Sequence, residues 1–526
     1  MNIRAFWESR VAEHPDKTFI YYKDEKVSYL DFERRVNRVA NVFLRLGVKK
    51  GDRVSLMLSN SPEFLYSWFA LAKIGAVMVP VNNRFKVNEA RYIVSHSEST
   101  GLVVHSDYLE IATALKESCP SLKWLVCVDG KKMPTGVMAF DELVRDMPDN
   151  LKGFELDDDD LAAVIYTSGT TGFPKGAMHV QRSFVLAGEA FTLAADLRPE
   201  DRLMVVLPLY HVNAQFYSVM GAVVVGASIV LIRDFSVSRF WEQAVGYGVT
   251  QFNFIGAVGR MLMARPESEF RPEHKIRVAN GAGISPQDYE VLTKRFKIRH
   301  VIDGYGLTEC PRVSQNPIGG LIKMNSIGLP AKHPDPKLKF AEMKIVDDNG
   351  KEVATGTIGE LIVRSPVLMK GYFRDMEKTE EAIKDGWFYT GDYAYKDEEG
   401  YFYFVDRKKD IIRRRGENIS AREVELAISE NPKVVESAVI PVPSALGEDE
   451  VMAFLVLRQG EVMSSEEVVL WCKDRLANFK VPRYIQFRPE LPKTATQRTQ
   501  KNLLREEKGL IQKAYDMEAF KKSLGI

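Results

Sequence analysis

From Tyr166 to His179 the chain reads Tyr-Thr-Ser-Gly-Thr-Thr-Gly-Phe-Pro-Lys-Gly-Ala-Met-His. Hydroxyl side chains, glycines and one lysine are concentrated in a few positions. Glycine lets backbone N–H groups approach phosphate oxygens closely, and Lys175 adds a positive charge, so the string has the makings of a phosphate cradle. It is not a Walker A loop, because Gly172 is followed by Phe173 rather than lysine. A buried strand, Leu161–Ile165, precedes it and a helix from about Gln181 follows, so the plain alternative is a polar strand-to-helix loop. The ordered string is too particular for that. Four further strings carry chemistry: Tyr305-Gly-Leu-Thr-Glu309, Tyr389-Thr-Gly-Asp392, Asp406-Arg-Lys-Lys-Asp410 and Gly416-Glu-Asn-Ile-Ser-Ala-Arg-Glu-Val-Glu425.

Together these five strings, in this order, resemble the motifs of the adenylate-forming superfamily: acyl-CoA synthetases, nonribosomal-peptide adenylation domains and beetle luciferases. The resemblance covers essentially the whole chain. It implies that a carboxylate attacks the α-phosphorus of ATP and that pyrophosphate leaves. Both reactants are anionic, so cations and oriented donors must surround the developing charge. By the same resemblance Thr167, Ser168, Gly169, Thr170, Thr171, Gly172 and Lys175 cradle the phosphates. Thr308 bonds the α-phosphate, and Glu309 with Thr170 ligates Mg²⁺, a hard cation suited to oxygen ligands. Asn280, Gly281, Ala282 and Gly283, with Asp303, Gly304, Tyr305 and Gly306, flank the adenine. Asp392 accepts from the ribose hydroxyls beside Arg407. His211, Phe254, Gly281 and Tyr305 border the acyl group. Lys409 is the hinge pivot, and Arg415 and Gly416 meet coenzyme A. The bland reading of Arg413-Arg-Arg415 is a solvated charge run, and that of Asp392 and Asp410 is solvated loop acids.

Near the C-terminus the pattern breaks. The family usually carries Pro-Lys-Thr-x-Thr-Gly-Lys, whose last lysine serves adenylation, but this chain reads Pro492-Lys-Thr-Ala-Thr-Gln-Arg498. Arginine keeps the charge but is a planar fork rather than a compact point donor. Arg498 is the expected catalytic cation; Lys501 reaching in, or decayed adenylation, are the alternatives.

These residues must be positioned by something. Tyr29–Leu46 and Pro62–Ile74 read as helices. Arg53–Leu58, Val77–Val81, Leu161–Tyr166, Leu203–Leu207, Ser228–Ile232 and Gln251–Ile255 read as short apolar strands. That alternation implies an α/β fold with mostly parallel, doubly covered sheets. Val212–Ile232 lacks charge over a length that could span a bilayer, yet Asn213, Gln215, Ser218 and Ser228 favour a buried helix and then a strand. Beyond about residue 335 the texture turns antiparallel, with an Asn-Gly turn in Lys344–Val353. The expected organisation is an N-terminal domain over 1–408, with a β-rich, barrel-like subdomain at about 336–406. A hinge near 407–410 leads to a smaller, mobile α+β domain over 409–526.

The 526 residues are 45% hydrophobic and 27% charged, and 72 basic against 71 acidic side chains give no reason to expect nucleic acid or an anionic membrane as partner. The four cysteines show no metal-ligand spacing, and the N-terminus has no apolar leader, which fits a cytoplasmic protein. A homo-oligomer is compatible with all of this. The reading is therefore an acyl-CoA ligase using ATP, Mg²⁺, coenzyme A and a small carboxylic acid. Within the superfamily, Phe64–Asn82 and Arg413–Asn418 look closest to bacterial crotonobetaine/carnitine-CoA ligase-like enzymes. An adenylation enzyme that loads a carrier protein is the alternative, although no carrier unit is attached; a non-catalytic nucleotide-binding relative is a third. The acyl pocket is expected from His211–Tyr217, Phe254–Gly259, Gly281 and Tyr305–Val313. Arg312 stands toward its far end, where it pairs either with a second carboxylate of the substrate or with an external acid.

Overall fold

The computed structural model describes residues 1–130, 133–167, 174–414, 417–444, 449–493 and 499–526, with the backbone alone at 257, 417 and 418. The described chain forms two compact units, one of residues 1–167, 174–343 and 363–388 and the other of 344–362 and 389–526.

The first unit is α/β, because its apolar runs are too short for helices and too continuous for strands with a wet face. They assemble into two sheets. One has seven strands, in the order Val137–Ala139, Trp124–Val128, Gly101–His105, Arg53–Met57, Val77–Pro80, Leu161–Thr167 (β1) and Lys175–Val180 (β2). All its pairings are parallel except β1 with β2. The other has nine, in the order Glu25–Ser28, Thr18–Tyr22, Ser228–Leu231, Arg202–Val205, Gln251–Asn253 (β3), Val278–Gly281 (β4), His300–Tyr305 (β5), Ser314–Gln315 (β6) and Leu329–Pro330. Its centre is parallel and its margins antiparallel.

Between the sheets lie two helices that are apolar nearly all round: Pro62–Lys73, which starts on the Ser61 cap with proline in its first turn, and Gln181–Ala194 (α1). One continuous core takes side chains from both sheets and both helices. Trp7 anchors it against Phe19, Tyr29, Phe32 and Phe69, with ring centroids 4.9–5.2 Å apart. The uncharged run from Val212 folds as expected into a buried helix and strand. Its first turns, Asn213–Val219, are π-helical, and Gly226 ends the helix in the left-handed region at φ 67°. No described helix is long and apolar enough to cross a membrane.

In the second unit, the turn at Asp347–Lys351 forms as the Asn-Gly signal predicts. The Asp347 carboxylate accepts from the N–H groups of Asn349 and Lys351, and Gly350 sits at φ 78°. Strands Trp387–Lys396 (β7) and Phe402–Arg407 (β8) pair antiparallel. Beyond them, the sheet of Val434–Pro443, Asp449–Leu457, Tyr484–Phe487 and Tyr515–Asp516 encloses a separate small core with helices Ala421–Ser429 and Ser465–Lys473.

Candidate active site

The sequence suggests a strand running through a polar loop into a helix. The structure instead inserts β2 before α1, antiparallel to β1, with Thr167 opposite Lys175. Strand β2 is satisfied on its other side as well. Lys370 and Phe373 donate backbone N–H groups to the carbonyls of Met178 and Gly176, and Met178 donates to that of Gly371. The same segment reaches the loop after β5, where the Met369 N–H donates to the Glu309 carbonyl at 2.8 Å. Residues 369–373 thus tie Lys175 to Glu309.

Tyr372 lies at the join. Its phenol donates to Glu309 Oε1 at 2.9 Å, and Lys175 Nζ stands 4.2 Å from its ring centroid. Burial and the neighbouring Glu309 carboxylate push the Tyr372 phenol far above its ordinary range, so it stays a donor. His179, four residues after Lys175, is fully buried and pairs through Nε2 with the Thr308 carbonyl at 2.8 Å. A carbonyl only accepts, so Nε2 carries the proton. Burial pulls His179 down to about 4, and it is neutral at physiological pH. Of the cradle residues, Thr167 and Lys175 face each other at its two ends. Ser168, Gly169, Thr170, Thr171 and Gly172 lie outside the described residues.

The parallel pair β4 and β5 sets Gly281 beside Asp303. The Asp303 carboxylate accepts from the backbone N–H groups of Gly283 at 2.9 Å and Ile284 at 3.2 Å, closing the turn Gly281-Ala282-Gly283 onto Asp303–Tyr305. Gly281 is required by contact: a Cβ there would stand 2.8 Å from the Phe254 ring. Gly306 is similarly confined, since its Cβ would meet the Arg312 nitrogen at 2.8 Å and the Tyr217 hydroxyl at 2.9 Å. His211 opens the turn that leads into the π-helical segment carrying Tyr217. The structure therefore gathers His211, Phe254, Gly281 and Tyr305 on one set of neighbouring elements of the first unit.

In the second unit Asp392 and Arg407 are direct cross-strand neighbours on β7 and β8, with Oδ1 and Nε 3.6 Å apart. Asp392 is buried rather than a solvated loop acid, and its N–H donates to Thr390 Oγ1. Lys408 forms ion pairs with Asp348 and Glu360. The half-buried Lys409 ammonium is pulled down to about 8 by burial, with Arg407, Arg505 and Lys501 repelling it and Asp410 opposing them. Asp410, likewise buried, pairs with Arg505. Arg414 departs from the solvated-run reading: it is buried, ion-paired with Glu450 at 2.8 Å, and it donates to the Phe479 carbonyl. Arg413 is exposed. Lys501 is held by the partly buried Glu425 at 2.7 Å. Arg415, Gly416 and Arg498 lie outside the described residues.

Sequence reasoning assigned nothing to Tyr372 or His179. His179 closes the glycine-rich string and could have been found from its place there, at the same side-chain parity as Lys175 on a strand. Tyr372 has no local signal.

Two family models match the chain: AMP-binding enzyme over residues 7–373 and AMP-binding enzyme C-terminal domain over residues 423–498. A crotonobetaine/carnitine–CoA ligase of Escherichia coli is 32% identical over 517 residues, covering 94% of this chain and 97% of the relative. Among solved structures, an anthranilate CoA ligase in complex with anthranoyl-AMP superimposes with a TM-score of 0.86 at 27% identity, over 96% of each chain. O-succinylbenzoate coenzyme A synthetase from Bacillus subtilis, in complex with AMP, gives 0.83 at 26% identity, over 96% of this chain and 99% of that one.

Proposed function

The chain belongs to the AMP-binding enzyme family and is an AMP-forming acyl-CoA ligase that works through an acyl-adenylate, and from that premise we propose how its residues divide the work. The join of Lys175, Tyr372 and Glu309 carries the proposal. It sets a cation and an anchored carboxylate at the mouth of the glycine-rich loop, where charge is exchanged when a carboxylate displaces pyrophosphate from ATP. Lys175 and the loop hold the phosphates, and Thr308, fixed by neutral His179, presents its hydroxyl to the α-phosphate. Asp303 shapes the adenine-side turn. Asp392 and Arg407 take the ribose hydroxyls, and Arg498 supplies the cation for adenylation.

Mg²⁺ fits this donor set. Among the described residues no cluster of three metal-ligating side chains exists, and an ion that arrives with ATP needs only one or two protein oxygens beside phosphate and water. Glu309 and Thr170 would hold it, and it would neutralise charge on the phosphates.

For the second half-reaction we place the hinge at 407–410 with Lys409 as pivot, between a domain of 1–408 and one of 409–526, and coenzyme A against Arg415 and Gly416. The substrates ATP and coenzyme A, with four buried free cysteines, support a cytoplasmic location. The relatives support a small carboxylic acid as acyl donor.

The test is to incubate the purified chain with ATP, Mg²⁺, coenzyme A and a panel of acids. Pyrophosphate, AMP and an acyl-CoA thioester should form together. AMP and pyrophosphate without thioester, restored by a phosphopantetheinyl carrier protein, would favour the carrier-loading alternative.

A further inference from the structure

Arg312 follows Glu309 by three residues, and it is not an external salt-bridge partner. Its side chain is buried, 4% exposed, and it forms no ion pair among the described residues. Its Nε and Nη2 are buried without a hydrogen-bond acceptor there. The guanidinium carbon lies 4.9 Å from the Phe191 ring centroid on α1 and 5.5 Å from that of Tyr217 on the π-helical segment, and the two rings stack 5.5 Å apart.

The backbone is held as firmly as the side chain. Arg312 sits at φ +58°, in the left-handed region that a long side chain rarely occupies, and its N–H donates to the Tyr217 hydroxyl at 2.7 Å. Gly306 leaves the space this approach needs. Burial pulls the guanidinium down to about 10, which still leaves it charged at neutral pH.

A buried cation is normally paired, because desolvation penalises the charged form heavily. Two aromatic faces recover part of that penalty and fix the plane of the fork, but they leave the in-plane donors open. Loop 306–312 and the segment that starts at His211 carry both the expected carboxylate-handling residues and this guanidinium. The Arg312 N–H joins that loop to Tyr217 on the segment that starts at His211.

Building on the ligase reading above, we propose that Arg312 binds a second carboxylate at the far end of the acyl substrate, so that the enzyme activates one carboxyl of a dicarboxylic acid. One carboxylate oxygen attacks the α-phosphorus while the bond to pyrophosphate breaks. The other carboxylate keeps its charge and accepts from the planar fork of Arg312. An acid carrying a fixed cation would instead bring like charge to a guanidinium that has no carboxylate partner among the described residues, and should be a poor substrate.

The test measures initial rates of pyrophosphate release by the full-length enzyme with ATP, Mg²⁺ and coenzyme A. The acids are straight-chain dicarboxylic acids of increasing length, their monomethyl esters, monocarboxylic acids of matched length, and a quaternary-ammonium acid. The wild type should prefer the best diacid to its monomethyl ester by about 100-fold in kcat/KM. Arg312→Leu should abolish that preference, and Arg312→Lys should keep part of it. Equal use of diacid and ester by the wild type, or preference for the ammonium acid, overturns the assignment while leaving the ligase reading intact. A loss in Arg312→Leu by the same factor for every acid also overturns it, marking the guanidinium as structural. No pyrophosphate from any acid overturns both readings. The wild-type panel decides even where Arg312→Leu folds poorly.

Discussion

Removing one oxygen, in Tyr372→Phe, isolates the join between Lys175 and Glu309. The variant keeps the ring on which the Lys175 ammonium rests at 4.2 Å and deletes the hydroxyl that donates to Glu309 Oε1 at 2.9 Å. A hydrogen bond to a charged group is worth about 1.5–3 kcal/mol, and leaving a partly buried acceptor without its donor costs a similar amount. If Glu309 needs that donor to hold its orientation while charge builds on the phosphates, the barrier rises by about 2 kcal/mol, roughly a 30-fold loss of rate. ATP–pyrophosphate exchange, which reports adenylation without coenzyme A, should show kcat down by about 10- to 100-fold. The KM for the acid should be little changed, and the Mg²⁺ concentration for half-maximal rate should rise. Tyr372→Leu, which also removes the ring, should fall further. Wild-type exchange by Tyr372→Phe at limiting Mg²⁺ would refute the reasoning. So would a rate loss matched by an equal loss in the urea midpoint, which would reduce Tyr372 to packing.

Two further outcomes concern stability. His179 is held down to about 4 by burial, below its ordinary 6.5, so the unfolded chain takes the proton first as pH falls. Its neutral form contributes fully above about pH 6.5, and about 3 kcal/mol is lost between there and about pH 4. The urea midpoint of the wild type should therefore fall more steeply over that window than that of His179→Gln, and parallel curves would count against the burial argument. Lys73 is 1% exposed and forms ion pairs with Glu33 at 2.5 Å and Glu8 at 2.9 Å. Lys73→Ala leaves the sheltered Glu33 carboxylate uncompensated and should destabilise the first unit by about 3 kcal/mol. Denaturant unfolding checks this, and a change below about 1 kcal/mol would mean that Glu33 is solvated despite its setting.

The parallel sheets were legible because short apolar strands buried on both faces leave an unmistakable pattern, as at Val77–Pro80. That Asp392 and Arg407 are neighbours was expected from the resemblance alone; the antiparallel pairing of β7 and β8 that sets them opposite each other had no local signal over Trp387–Lys396. Strand β2 was not legible. Lys175–Val180 is short and begins with a charge; it pairs with β1 on one edge, and its other edge is covered by a segment almost two hundred residues away that no local pattern announces. Tyr372 was hidden for the same reason, since its partners Lys175 and Glu309 are joined only by the fold. Arg312 was half visible: the sequence offered it as either a substrate contact or an external salt-bridge partner, because arginine in a sequence reads as surface. Its burial appears only once Phe191 and Tyr217 are in place.

The segment 369–373 also bears on the order in which the enzyme matures. All strands of both large sheets precede Ala331, so a nascent chain of that length can already build the body of the first unit. In such a chain β2 is an open edge with unpaired amides, a template for mispairing. Glu309 has been synthesised but has neither its ring nor its backbone donor. Closure waits for residues 369–373 to emerge and zip along β2, so the centre of the site is among the last parts of that unit to form. The interval between those two stretches of translation is when the growing chain most needs shielding from its neighbours.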